Sequence, residues 1–150
     1  MIEYRNDVRA SGVNGAALRA AARKILVAVG EKDGDLCIAL VDDATIRALN
    51  KRHRAYDRPT DVLSFAQREG VAFPGSRALG DVVISVDTAR RQAASYGAPL
   101  QRELERLLIH GVLHLLGHDH HERGEREAMK TQERRLAQCI GMPWPYEKSE

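Results

Sequence analysis

Ala98–His120 reads APLQRELERLLIHGVLHLLGHDH, and the organisation of the whole chain follows from it. Pro99 opens an apolar run in which Leu100, Leu104, Leu107, Leu108 and Leu115 recur at threes, fours and sevens, the spacing of a helix that buries one stripe. Within that run His110 and His114 stand four apart, which sets both imidazoles on one face over adjacent turns. Gly117 can leave the helix with positive φ and turn the chain so that His120 comes back toward the pair. Two nitrogens from a helix and a third from the following turn suit a tetrahedral zinc whose fourth position stays open to water. A plainer reading makes the same histidines surface or capping residues. A third makes the zinc purely structural, which calls for a fourth protein ligand, with Asp119, His118 and His121 at hand.

A chain of 150 residues suits one domain, 1–150, with a sizeable core. Its 43% hydrophobic and 29% charged content is that of a soluble globular protein. No stretch approaches the roughly 18 uninterrupted apolar residues of a membrane span, and MIEYRNDVRA lacks the basic-then-apolar pattern of a secretory signal. The expectation is a cytoplasmic protein with no membrane partner. Cys37 and Cys139, a distant pair without CxxC spacing, are expected as reduced, partly buried thiols. A formal charge of +2 is too small to single out a nucleic-acid partner, so its distribution matters more.

The rest of the chain fits an α/β fold with a mixed central sheet of about four strands and about five surrounding helices. Residues 1 to 6 suit a short strand. Asn14 caps a helix over Ala16 to Val29 that turns Leu18, Ala22, Ile25 and Leu26 inward and ends at Gly30. Leu36 to Val41 and Leu79 to Val86 are aliphatic, largely β-branched runs expected as inner strands. Asp42 or Asp43 caps a helix carrying Ile46 and Leu49, and Asp87 caps another that closes at Gly97. Lys51 to Pro59 is expected as a loop feeding a strand at Thr60 to Phe65, and residues 66 to 78 as a mobile excursion. A last helix from about His121 to Ile140 aligns Met129, Leu136 and Ile140, and Trp144 pins the tail or marks a contact.

The run from His110 to His120 has the spacing of the long zinc-protease motif but carries glycine at 111, where that motif has a glutamate as general base. Glycine has no titratable group, which argues against peptide hydrolysis. Zinc lowers the pKa of bound water to near 7 by itself, so other hydrolysis stays feasible. Asp119 either accepts the free ring N–H of a ligand histidine or caps the next helix. His118 and His121 are expected in solvent. Arg47, Lys51, Arg52, Arg54 and Arg58 surround the single acid Asp57, as a solvated face or as ligand contacts. A fixed guanidinium near the zinc would suit a phosphodiester, whose oxygens gain charge during attack.

With HGVLHLLGHDH at 110–120, PTDVLSF at 59–65 and LGDVVIS at 79–85, the chain resembles the UPF0054 family of bacterial metal-dependent endoribonucleases, the YbeY or rRNA maturation factor family, over nearly its whole length. Leu49-Asn50, Met129 and Glu133 fit weaker positions of the pattern. The resemblance implies a mixed sheet flanked by helices and one zinc per chain on His110, His114 and His120. It places the family's invariant arginine, in the cleft beside the metal, on Arg54. It also implies action on single-stranded RNA, maturation of the 3′ end of small-subunit (16S) ribosomal RNA, and a part in ribosome quality control with the ribosome or ribosomal proteins as partners. Two positions depart from the pattern: His118 replaces a usual tyrosine, and His53 an aromatic that commonly precedes the arginine. The alternative is a ribosome-associated RNA-binding protein whose zinc only holds the fold; a zinc peptidase is a third option, weakened by Gly111.

Overall fold

The computed structural model describes residues 1–67, 77–118 and 123–142, with only the backbone of Arg123. In chain order the elements are β1 (Ile2–Asn6), α1 (Gly15–Ala28), β2 (Asp35–Val41), α2 (Asp43–Arg54), β3 (Val62–Ala66), β4 (Ala78–Ser85), α3 (Val86–Tyr96), α4 (Leu100–Leu115) and α5 (Arg123–Cys139). The four strands form one sheet in the order β1-β2-β4-β3. β1 and β4 both run parallel to β2, while β3 runs antiparallel to β4 at the sheet edge. This is the mixed α/β architecture expected from the sequence, with β2 and β4 as the inner strands.

Strand periodicity divides the core between the two faces of the sheet. Leu36, Ile38, Leu40, Val82 and Ile84 join Leu18 and Ile25 of α1 and Leu104, Leu107 and Leu108 of α4 in the larger cluster. On the opposite face Ala39, Val41, Leu63 and Val83 close a smaller cluster around Ile46 of α2. β4 is therefore covered on both faces toward its C-terminal end, which accounts for its near-continuous apolar run. Among the described residues no helix is long and apolar enough to cross a membrane. Cys37 is half-buried, and burial, helped by nearby Asp81, pushes its thiol up; Cys139 is exposed, unlike the partly buried thiol expected.

Three boundaries differ from the sequence reading. The basic run is not a loop from Lys51 onward, because α2 continues through Lys51, Arg52, His53 and Arg54 to a left-handed Ala55. Lys51, Arg52 and Arg54 are good helix formers and sit in the last turn, where the helix dipole favours positive charge. Val86 belongs to α3, whose cap is Ser85, not Asp87: the Thr88 N–H donates to Ser85 Oγ at 3.3 Å. Asp87 serves the neighbouring helix instead, its Oδ2 accepting the Asp43 N–H at 2.9 Å. The excursion anticipated at residues 66–78 overlaps two strands at its ends, since Ala66 ends β3 and Ala78 opens β4. Residues 68–76 lie outside the described residues, as does Trp144.

Asp42 caps α2 by accepting the Thr45 N–H at 2.8 Å, which leaves Asp43 for a different task. Its carboxylate accepts from Ser85 Oγ at 2.6 Å, Thr88 Oγ1 at 2.7 Å and Arg91 Nη2 at 2.8 Å, tying α2 to the end of β4 and to α3. Burial alone raises the Asp43 carboxyl, but these three donors together outweigh it and hold the group below the ordinary carboxylate range. A carboxyl depressed in the folded state contributes stability that is present above its unfolded pKa and lost as pH falls through the folded one. Asp43→Asn is expected to lose about 1–3 kcal/mol at pH 7 and much less near pH 3. Urea unfolding of both proteins at the two pH values measures it, and an equal loss at both would refute the charge dependence.

Candidate active site

Helix α4 is buried almost all round: Leu104, Leu107, Leu108, Ile109, Val112 and Leu113 are closed off by α1, α3, α5 and the sheet. His110 and His114 occupy the side left open, where both half-buried rings line a cleft of about 760 Å³. Their Nε2 atoms stand 3.0 Å apart, and the ring planes meet at 65° with centroids 4.6 Å apart. Behind them, His110 Nδ1 lies 3.4 Å from Glu133 Oε1 on α5. Two nitrogens about 2.0–2.1 Å from one tetrahedral ion are about 3.3–3.4 Å apart, so a small opening of this pair fits a zinc.

The helix ends as its glycine predicts. Gly117 has φ +89°, its N–H donates to the His114 carbonyl at 3.0 Å, and the His118 N–H donates to the Leu113 carbonyl at 3.0 Å. This paired cap turns the chain straight after His114. His118 is half-buried in the cleft lining instead of standing in solvent, because the cap directs it back over the helix end. His120 and Asp119 lie outside the described residues, as does His121. Among the described residues no three His, Cys, Asp or Glu side chains are grouped to hold a metal.

Gly111, between the two histidines, faces the sheet. A Cβ there would come within 2.6 Å of Val82 Cγ1 and 3.3 Å of Ser64 Oγ, and Ser64 Oγ donates to the Gly111 carbonyl at 2.8 Å. The position is thus the contact point between α4 and β3–β4, and a glutamate would collide with β4 before it could reach the cleft. Among the described residues Asp61 is the one carboxylate lining the cleft. It is committed elsewhere: Oδ1 accepts the Val62 N–H at 2.8 Å, and Oδ2 lies 3.3 Å from Gln92 Nε2 and 3.9 Å from Arg106. Arg106 in turn forks onto fully buried Glu103 at 2.7 and 3.0 Å.

Arg54 enters the cleft from the end of α2. Its Nη2 donates to the Ser64 carbonyl at 2.8 Å, and its guanidinium lies 5.9 Å from the Phe65 ring centroid. Ser64 therefore links both halves of the site, with its carbonyl on Arg54 and its hydroxyl on the helix of the histidines. Asn50, 5% exposed, holds the turn after α2 by donating to the Arg58 carbonyl at 2.9 Å. Arg47 is ion-paired to Asp57 at 2.8 Å, and Arg58 stacks on Tyr56 with 5.0 Å between guanidinium carbon and ring centroid.

The structure brings His110, His114 and Arg54 to one cleft, as the sequence suggested. Sequence reasoning missed the connecting role of Ser64, the restraint on Asp61 and the place of Glu133 behind His110. A signal for the last existed: Glu133 is four residues after Met129 and three before Leu136, on the stripe that buries both. A carboxylate on an apolar stripe asks for a partner.

Fold and cleft define an α/β protein with a histidine- and arginine-lined cleft between the edge strand of its sheet and one buried helix. A family model described as Endoribonuclease YbeY matches residues 3–141. The Endoribonuclease YbeY of Pelotomaculum thermopropionicum is 48% identical over 120 residues, covering 77% of this chain and 79% of that protein. That of Anaeromyxobacter dehalogenans is 49% identical over 126 residues, covering 83% of this chain and 64% of that protein. The solution structure of a Thermotoga maritima protein superposes with a TM-score of 0.62 at 25% identity, over 93% of this chain and 89% of that one. The chain belongs to the YbeY endoribonuclease family.

The close approach at Gly111 is open to test. Gly111→Ala is expected to lower stability by about 1–3 kcal/mol from overpacking, although alanine favours a helix by about 1 kcal/mol. Denaturant unfolding should show a smaller loss in a Val82→Ala background. Equal losses in the two backgrounds would mean that this contact is not the cause.

Proposed function

We propose that this protein is a zinc-dependent endoribonuclease that hydrolyses phosphodiester bonds of single-stranded RNA, with His110, His114 and His120 as metal ligands and Arg54 as the catalytic phosphate clamp. The observation that carries the reading is the shared cleft: two convergent imidazole nitrogens and an anchored guanidinium, on a chain of the YbeY family. The donor set suits zinc, which would supply a Lewis acid and a source of hydroxide at neutral pH. The chain's own residues position and neutralise the substrate. Ser64 fixes one edge of the Arg54 guanidinium, which leaves its other donors for the non-bridging oxygens of a phosphate and adds most as charge builds there. Tyr56, 56% exposed on the cleft lining with Arg58 over one side of its ring, leaves the other side as the one on which an unpaired base would stack, in keeping with a single-stranded substrate.

The small-subunit ribosomal RNA 3′ end is the proposed substrate and the ribosome the proposed setting, in the cytoplasm. Support for both is the resemblance to the family at residues 59–65, 79–85 and 110–120. Peptide hydrolysis is disfavoured by the sheet contact at position 111, which leaves no room for a carboxylate base.

Replacing His110, His114 or His120 with alanine is expected to reduce zinc content sharply by elemental analysis; full zinc in all three variants would overturn the ligand assignment. Arg54→Ala should keep zinc and thermal stability near wild type while single-turnover cleavage of a labelled single-stranded RNA falls by roughly one to three orders of magnitude. Arg54→Lys should rescue poorly, because a point ammonium lacks the planar fork. A zinc-replete, fully active Arg54→Ala protein would show that this arginine is not a catalytic group, whereas a zinc-replete wild type that binds the RNA without cleaving it would favour a binding role with structural zinc.

A further inference from the structure

We propose that Glu133 is the positioning residue for His110: its carboxylate fixes the imidazole as the Nδ1–H tautomer and so turns an unprotonated, accepting Nε2 toward the cleft. The role in metal binding rests on the zinc reading above; the tautomer assignment does not. A carboxylate can only accept, so at the 3.4 Å contact between Glu133 Oε1 and His110 Nδ1 the proton lies on the ring nitrogen. A neutral imidazole carries one such proton, which makes Nε2 the acceptor, and it is Nε2 that stands 3.0 Å from its counterpart on His114.

Packing alone does not explain a carboxylate at this place. The Glu133 side chain is 12% exposed, on a helix stripe whose other members Met129 and Leu136 are in the main core. An aliphatic residue there would continue the stripe without burying charge. Among the described residues the group that Glu133 engages is His110, so its burial is balanced by that ring and by no arginine or lysine. A carboxylate on the far nitrogen of a ligand histidine orients the ring and raises the basicity of the nitrogen facing the metal. The ring of α4 is thereby aimed by α5, a helix that contributes no proposed ligand.

Two measurements on the full chain decide this. In the metal-stripped wild-type protein, imidazole 15N chemical shifts should report His110 protonated at Nδ1. Glu133→Ala should lose that preference and bind zinc roughly 10–100-fold more weakly in competition with a chromophoric chelator. Glu133→Gln keeps an accepting oxygen, so it should retain the tautomer and lose only part of the affinity. Thermal melts of the stripped proteins check folding, and if Glu133→Ala does not fold, the tautomer and the partial affinity loss in Glu133→Gln carry the test. A wild-type His110 protonated at Nε2, or a folded Glu133→Ala protein with unchanged tautomer and zinc affinity, would overturn the proposal. If the wild type takes up no zinc, the metal reading falls, and the 15N shifts still decide whether Glu133 sets the ring.

Discussion

The closeness of α4 to the sheet at Gly111 is the constraint on which the rest of the site depends. With no side chain at 111, the helix backbone settles against Val82 and Ser64, and Ser64 can bond the helix carbonyl directly. That bond fixes the height of the helix above β3. The same strand residue holds Arg54, so the separation between the guanidinium and the imidazoles is set by one serine and one missing Cβ. Any bulk at 111 would lift the histidines away from the arginine as well as strain the core.

Around that contact, the polar groups near the cleft are divided between those left for a ligand and those committed to the frame. Asp61 is pinned by the first residue of β3 and by Gln92, with Arg106 close by, and buried Glu103 completes the chain beneath it. A buried carboxylate such as Glu103 persists because its arginine is forked onto it. Asp57 neutralises Arg47 at the outer surface of α2, while Arg54 turns inward. Among the described residues the result is a cleft with arginine on one wall and imidazole on the other.

Much of the architecture was legible because it rests on local rules. The leucine spacing of α4, the glycine at 117 and the two aliphatic runs that became β2 and β4 each have a single economical reading. What was not legible depended on long-range geometry. Lys51 to Arg54 looks like a loop by charge and is helical because α2 has Ile46 to anchor it and a left-handed Ala55 to end it. Ser85 and Asp87 are both good caps, and the choice between them depends on Asp43, a residue from another helix. In the site, the histidine spacing was visible in sequence. The serine between the two walls was not, since nothing in PTDVLSF indicates which of its groups faces a helix far along the chain.

The paired histidines and the arginine differ in how the chain must search for them. His110 and His114 are brought together by one turn of helix, a local event that closes in microseconds or less. Arg54 and Glu133 reach them only when α2, the edge strand and α5 have docked, which requires closure of long loops. In a chain that forms α4 first, the imidazole pair would exist before the groups that pack around it. A chain with α4 formed and α5 undocked would already display two adjacent imidazoles one helical turn apart, and the Glu133 carboxylate would join them only as the last helix docks.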